Sequence, residues 1–191
     1  VGATVREDLK QGNKERGYQL TDFDKNKKVL LVMGGSLGSK KLNNIIRQNI
    51  EALLHDYQII HLTGKGLVDD SINKKGYVQF EFVKDDLTDL LAITDTVVSR
   101  AGSNAIYEFL TLRIPMLLIP LGLDQSRGDQ IDNAKNFESK GYGRHIPEDQ
   151  LTEVNLLQEL NDIELHRESI IKQMETYQES YTKEDLFDKI I

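Results

Sequence analysis

Short, continuous apolar runs alternate along most of the chain with stretches whose apolar positions recur every three or four residues. The runs predict strands at 28–33, 57–62, 77–83, 96–99, 115–119 and 143–146. The periodic stretches predict helices at 40–55, near Leu67, and at 87–93, 103–112 and 129–140. In the first of these, Leu42, Ile45, Ile46, Ile50, Leu53 and Leu54 share one stripe. Strands alternating with helices build βαβ units, so the expected fold is α/β, a Rossmann-like doubly wound parallel sheet of about six strands. Beyond Pro147 the pattern turns purely helical, at 152–161, 164–178 and 183–190, which predicts a C-terminal helical extension. The first 26 residues are polar and punctuated by glycine, so they read as a connector. The expected organisation is therefore 1–26 connector, 27–146 Rossmann-like domain and 147–191 C-terminal helices.

Composition narrows the functional classes. The 191 residues carry 24 Lys+Arg and 31 Asp+Glu, a net charge of −7. Residues 1–146 hold 20 basic and 19 acidic side chains, and residues 147–191 hold 4 and 12, so the acidity belongs to the tail. That balance lacks the basic surface a nucleic-acid partner requires. There are no cysteines, which removes disulfides, thiolate metal sites and cysteine nucleophiles. The longest apolar runs, such as 29–33 and 116–119, fall far short of the roughly 18–20 residues of a spanning helix. The chain opens on Val1 with no charged segment leading into an apolar core, so we expect no secretory signal and a piece of a longer protein.

In a doubly wound sheet ligands bind where the strands end, so the loops after strands one, three, four and five are the candidates for function. The loop after the first strand is Gly34-Gly35-Ser36-Leu37-Gly38-Ser39, leading into a helix at Lys40. Such a loop frees backbone N–H groups at a helix start, where unsatisfied donors and the positive end of the dipole attract phosphate. It is not a Walker A loop, because Ser39 rather than Gly precedes Lys40. It also misses GxGxxG, and the second strand ends His61-Leu62-Thr63 without an acid for an adenosine ribose. It does match GxSxG, the nucleophile elbow of α/β-hydrolases, and Ser36 with Asp95 or Asp124 and His145 would complete a triad. An elbow normally follows several framing strands, whereas this one follows the first. A tight turn that only packs helix on strand is the remaining alternative.

After the fourth strand, Ser99-Arg100-Ala101-Gly102-Ser103-Asn104 opens a second helix start at the same edge. Two such starts suit a diphosphate, although Ser103 could serve as an ordinary N-cap. Glu108, five residues into that helix, could accept two hydrogen bonds from a vicinal diol, or be a plain surface acid. After the fifth strand, Pro120 opens a long loop before Asp129-Gln130-Ile131-Asp132-Asn133-Ala134, whose amides and carboxylates could bond sugar hydroxyls or cap a helix. Asp85-Asp86 and Asp69-Asp70 are adjacent pairs of the kind found in solvated turns, so no required metal is expected. His55, His61, His145 and His166 sit away from the proposed loops or at a strand end, which leaves no catalytic base in this chain.

Together GGSLGS, SRAGSNAIYE and IPLGLDQSRGDQIDNA resemble the C-terminal half of the MurG family, bacterial UDP-N-acetylglucosamine transferases that make lipid II from lipid I. Gly2-Ala3-Thr4-Val5-Arg6 is similar to the GxxVR segment that precedes that half. The resemblance implies one half of a GT-B fold, with nucleotide-sugar bound here and acceptor bound by an N-terminal half. It implies that Arg6 and Ser36 contact the diphosphate region, with Gly35 and Leu37 beside them, and that the backbone near Val83 reads uracil. It further implies phosphate contacts from the N–H groups of Ser103, Asn104 and Ala105 behind Gly102. Glu108 would hold the ribose hydroxyls, and Gln130 would hold the N-acetylglucosamine hydroxyls, with Asn133 nearby. Relatives often carry two consecutive Gln where this chain has Asp129-Gln130, so Asp129 departs from the pattern. The implied partners are UDP-N-acetylglucosamine, the N-terminal acceptor domain and, through it, lipid I, at the cytoplasmic face of the cell membrane. Neither a cofactor nor nucleic acid is implied. A non-catalytic nucleotide-sugar-binding module or an epimerase would share much of this pattern, but an epimerase needs internal acid–base residues that are not found.

Overall fold

The computed structural model describes residues 8–35, 37–123 and 127–177. Within them one parallel sheet contains β1 (Lys28–Met33), β2 (Tyr57–Leu62), β3 (Tyr77–Phe80), β4 (Thr96–Ser99), β5 (Met116–Leu118) and β6 (Gly143–His145). The strand order is β3-β2-β1-β4-β5-β6, the doubly wound arrangement the alternation predicts. Val29, Leu30, Leu31 and Val32 of β1 and the whole of β2 are buried, as expected of parallel strands covered on both faces. The order reverses between β1 and β4, which pair in parallel with Met33 opposite Ser99. The loops leaving these two strands therefore start side by side, about 4.8 Å apart.

The helices are α1 (Lys14–Thr21), α2 (Lys40–Gln48), α3 (Ile50–Asp56), α4 (Leu87–Ala92), α5 (Ser103–Thr111), α6 (Asp129–Ser139), α7 (Glu153–Leu165) and α8 (Arg167–Glu175). Several depart from the sequence reading for local reasons. Helix α1 lies within the stretch read as a connector; its buried face is Gly17 and Thr21, so it has no apolar stripe to betray it. A Cβ on Gly17 would stand 2.5 Å from the Asp89 carbonyl oxygen, so that glycine lets α1 seat against α4. The single helix expected at 40–55 breaks at Asn49, where φ is −108° and ψ 12°, and the Asn49 Nδ2 donates to the Ile45 carbonyl at 2.8 Å. No helix forms near Leu67, because Gly64 and Gly66 both adopt positive φ, 95° and 71°, and turn the chain. The third strand stops at Phe80 rather than 83; beyond it the Glu81 carboxylate accepts from the Gly66 N–H at 2.8 Å, and Phe82 is exposed. The tail helices divide at His166, between α7 and α8. The expected helix at 183–190 lies outside the described residues.

The C-terminal helices are fastened to the amino edge of the sheet. Glu164 accepts hydrogen bonds from Tyr57 Oη at 3.0 Å, Thr96 Oγ1 at 3.1 Å and Arg167 Nη2 at 2.7 Å, and it also pairs with Lys28. Burial pushes its carboxyl upward, but the hydrogen bonds from Arg167 and Lys28 outweigh that and hold it at about 2. The opposite, carboxyl edge of the sheet is left to the loops that matter for function.

Candidate functional site

Among the described residues α2, α4, α5 and α6 follow strands from the carboxyl edge, and the starts of α2, α5 and α6 carry the sequence-predicted residues. Helix α2 follows β1 through the glycine loop and is capped by Ser39, whose Oγ accepts from the Leu42 N–H at 3.2 Å. Gly38 makes that loop possible: its φ is +75°, and a Cβ there would lie 2.1 Å from the Thr63 carbonyl oxygen. Helix α5 follows β4 with Gly102 as its N-cap, so Ser103 is the first helical residue and not the cap. Among the described residues no side chain caps α5, which leaves the N–H groups of Ser103, Asn104 and Ala105 as the free donors of its first turn. A Cβ on Gly102 would meet no described atom within 4 Å, so the described residues leave the space beside this cap open. Helix α6 begins after Gly128 at φ +90°, likewise without a side-chain cap, so Asp129 does not cap it either.

The structure brings most of the sequence-predicted residues to one place. Gly35 and Gly102 lie on adjacent loops, and the Cβ position of Gly35 stands 3.9 Å from the Cγ of Arg100. Ser103 and Asn104 are exposed, and the half-buried Glu108 follows one turn after Asn104, so both share a face of α5. The start of α6 is drawn to the same loops: Asn133 Nδ2 donates to the Ala101 carbonyl at 3.1 Å, and Gln130 Oε1 accepts from the Leu121 N–H at 3.2 Å. Asp129 is exposed at the first position of that helix. Val83 is half-buried in the loop after β3, two strands from β1. Leu37, Phe82 and Leu123, at 86%, 68% and 74% exposure, add an apolar rim on the loops after β1, β3 and β5. Arg6, Ser36 and Asp124 lie outside the described residues.

Two groups that the motifs did not single out support this edge. Arg100, 7% exposed, donates to Ile119 O at 3.1 Å, Ser39 Oγ at 2.8 Å and Glu148 Oε1 at 2.5 Å. It was legible only as part of the loop after β4, because its partners lie up to 61 residues away in sequence. Behind α2, fully buried His61 bonds Asn43 Oδ1 at 2.9 Å and Tyr77 Oη at 2.8 Å, while Asn43 Nδ2 donates to the Thr63 carbonyl at 2.8 Å. With Asn43 turned that way, His61 carries its proton on Nε2 and accepts from tyrosine at Nδ1. Burial, reinforced by the charge of Arg47, pushes His61 down to about 3, so it is a neutral structural group.

Of the residues a hydrolase triad would use, the two described ones lie apart from the glycine loop. Asp95 lies at the amino edge, where its carboxylate accepts from the Val29 N–H at 2.8 Å, at the far end of β1 from the glycine loop. His145 ends β6, three strands from β1, with its Nδ1 2.6 Å from Glu138 Oε2. No group of three or more His, Asp or Glu among the described residues could hold a metal ion. Nor is any described helix long and apolar enough to cross a membrane.

Comparison with known proteins gives this site its setting. Over its full length the chain is 83% identical to the UDP-N-acetylglucosamine--N-acetylmuramyl-(pentapeptide) pyrophosphoryl-undecaprenol N-acetylglucosamine transferase of Staphylococcus haemolyticus, and it covers 54% of that protein. It is 72% identical over 191 residues to the protein of the same name from Staphylococcus aureus, again covering 54% of it. The chain thus spans about half the length of the curated relatives it matches. Among solved structures, Acinetobacter baumannii MurG superposes with a TM-score of 0.63 at 22% identity, over 83% of this chain and 47% of that one. The glycotransferase of kitacinnamycin superposes with a TM-score of 0.64 at 21% identity, over 78% and 37%. These two share the Rossmann-like fold of one half of a GT-B glycosyltransferase. A model described as the glycosyltransferase family 28 C-terminal domain matches residues 29–190, and the chain belongs to that family.

Proposed function

We propose that this chain is the donor-binding half of an inverting glycosyltransferase, and that it holds UDP-N-acetylglucosamine at the switch point between β1 and β4. The observation that carries the reading is the uncapped start of α5, facing open space one strand away from the glycine loop. Free N–H donors at a helix start are a ready anion site, and the adjoining loop adds a second set for a diphosphate. Glu108 is placed one turn below those donors to accept from the ribose hydroxyls, and Val83 offers backbone to the base. Gln130 and Asn133, already anchored to the loops after β5 and β4, face the sugar, with Asp129 at the entrance. In this arrangement residues 27–146 bind the donor, residues 147–191 brace the sheet and reach toward the other half, and residues 1–26 connect the two.

The names of the curated relatives support the choice of sugar and of reaction. The 4-hydroxyl of the muramyl residue of lipid I attacks the anomeric carbon of N-acetylglucosamine with inversion. The new glycosidic C–O bond forms as the bond to the diphosphate breaks, its electron pair leaves on UDP, and lipid II results. Charge growing on the leaving diphosphate is met by the N–H groups of α5, the glycine loop and Arg6, so no metal is required in this mechanism. The base that takes the hydroxyl proton belongs to the other half, so this chain binds donor and turns over little alone. The apolar rim of Leu37, Phe82 and Leu123 suits an edge that faces that half, and the complete enzyme works on its lipid-linked acceptor at the cytoplasmic face of the membrane.

Calorimetric titration tests the site directly. UDP-N-acetylglucosamine should bind more tightly than ATP, and Glu108→Ala and Gln130→Ala should each weaken it by about ten-fold. Equal affinity for ATP, or undiminished binding in both variants, would refute the assignment.

A further inference from the structure

Donor binding as described leaves one buried charge without a role. Arg100 sits between Ser99 of β4 and the start of α5, and its guanidinium reaches three other loops: Ser39 after β1, Ile119 after β5 and Glu148 after β6. Withdrawing an ion pair from water carries a desolvation cost that mutual attraction only partly offsets, so stability alone would favour apolar side chains here. The arrangement is also incomplete as a structural staple, because the buried Nε of Arg100 has no hydrogen-bond partner among the described residues. Ser39 completes the picture. Its Oγ accepts from both the Leu42 N–H and the Arg100 guanidinium, so both lone pairs are committed and the end of the glycine loop is fixed in place.

We propose that Arg100 is a positioning residue for the donor diphosphate: it locks the Ser39 end of the glycine loop against the start of α5, and it supplies a positive field that Glu148 attenuates. The proposal rests on the donor-site reading above and concerns how that site is held. It makes an asymmetric demand on its two members. Removing Arg100 loosens the loop and withdraws the field; neutralising Glu148 leaves the arginine in place and strengthens the field felt by a phosphate.

The test is to titrate UDP and uridine into the unaltered 191-residue chain and into Arg100→Met, Arg100→Lys and Glu148→Gln, with uridine followed by NMR shifts that report weak binding. Arg100→Met should lose about ten-fold or more in UDP affinity while uridine changes by less than about two-fold. Arg100→Lys keeps the charge without the fork and should recover part of that loss. Glu148→Gln should bind UDP about three-fold more tightly, which a merely structural pair would not produce. UDP affinity within about two-fold of the unaltered chain in Arg100→Met, parallel losses for UDP and uridine, or weaker UDP binding in Glu148→Gln would each overturn the proposal. Should Arg100→Met not fold, the sign of the Glu148→Gln change still decides it. If the unaltered chain itself bound no UDP, the donor-site reading would fail first and this proposal with it.

Discussion

Helices α2 and α5 begin one strand apart at the same edge of the sheet, yet the chain treats their first turns in opposite ways. At α2 the chain supplies its own partners: Ser39 caps the Leu42 N–H, Arg100 holds Ser39, and the His61–Asn43 pair braces the helix from behind. At α5 the cap is a glycine, no described side chain caps the first turn, and no described atom lies within 4 Å of where a Cβ on that glycine would stand. Leaving those donors unmade costs free energy that Ser, Asp or Asn at position 102 would recover. A glycine at a helix start can thus serve either of two ends. Gly38 answers to the protein's own packing, and Gly102 answers to whatever approaches from outside.

Gly38→Ala should be the most damaging substitution at these two helix starts. The residue sits at φ +75° with a Thr63 carbonyl oxygen 2.1 Å from the added Cβ, so strain and collision act together. We expect a loss of at least about 3 kcal/mol in urea unfolding, since left-handed backbone alone costs roughly 1–2 kcal/mol for a non-glycine residue and the carbonyl cannot give way cheaply. An unchanged unfolding midpoint would mean that the β1 loop is not locked.

Acid should act on the same side. His61 is neutral in the folded chain down to about 3, whereas unfolded histidine titrates near 6.5, so the unfolded state binds more protons between these values. Its contribution is complete above about pH 6.5 and is lost as pH falls toward 3. Glu164, held at about 2, adds a further loss only below its ordinary value of 4.5. Between pH 6.5 and 4.5 the slope of stability against pH should therefore flatten in His61→Gln. Amide exchange in α2 should rise before exchange in α5 over that window. Equal rates in the two helices would show that the bracing of α2 is not local.

Much of this was legible in the sequence, and the gaps have physical causes. Strands β1, β2 and β4 were readable to the residue because each centres on adjacent apolar residues, Val29-Leu30-Leu31-Val32, Ile59-Ile60 and Val97-Val98, that break the three-to-four-residue spacing of the neighbouring helices. The two helix starts were readable because glycine clusters between a strand and an amphipathic stretch admit few backbones. Helix α1 was hidden because Gly17, a breaker by propensity, is what permits its close packing on α4. The turn at Leu67 and the break at Asn49 are decisions of single backbone dihedrals, to which apolar periodicity is blind. The contrast between capped Ser39 and uncapped Gly102 was hidden too: the sequence offered Ser103 as the cap of the second helix, and only the backbone of the folded chain moves that cap to Gly102. The Arg100–Glu148 pair joins residues 48 apart, a distance at which charge patterning carries no signal.

The mildest perturbation is the sharpest probe of the comparison. Gly102→Ala adds a methyl group at φ −68° and ψ 134°, a conformation open to any residue, and the methyl meets no described atom within 4 Å. Alanine is a poorer N-cap than glycine but restricts the unfolded chain, so the two effects oppose each other and stability should change by less than about 1 kcal/mol in either direction. The added methyl nevertheless stands in front of the first turn of α5, where a phosphate would have to approach the N–H groups of Ser103 and Asn104. Affinity for UDP should fall by about ten-fold while the melting temperature barely moves, the reverse of the pattern at Gly38. Full UDP affinity in Gly102→Ala would place the anion elsewhere and leave the open helix start without a ligand, because the only steric consequence of the substitution is to fill the space that the bound diphosphate is proposed to occupy.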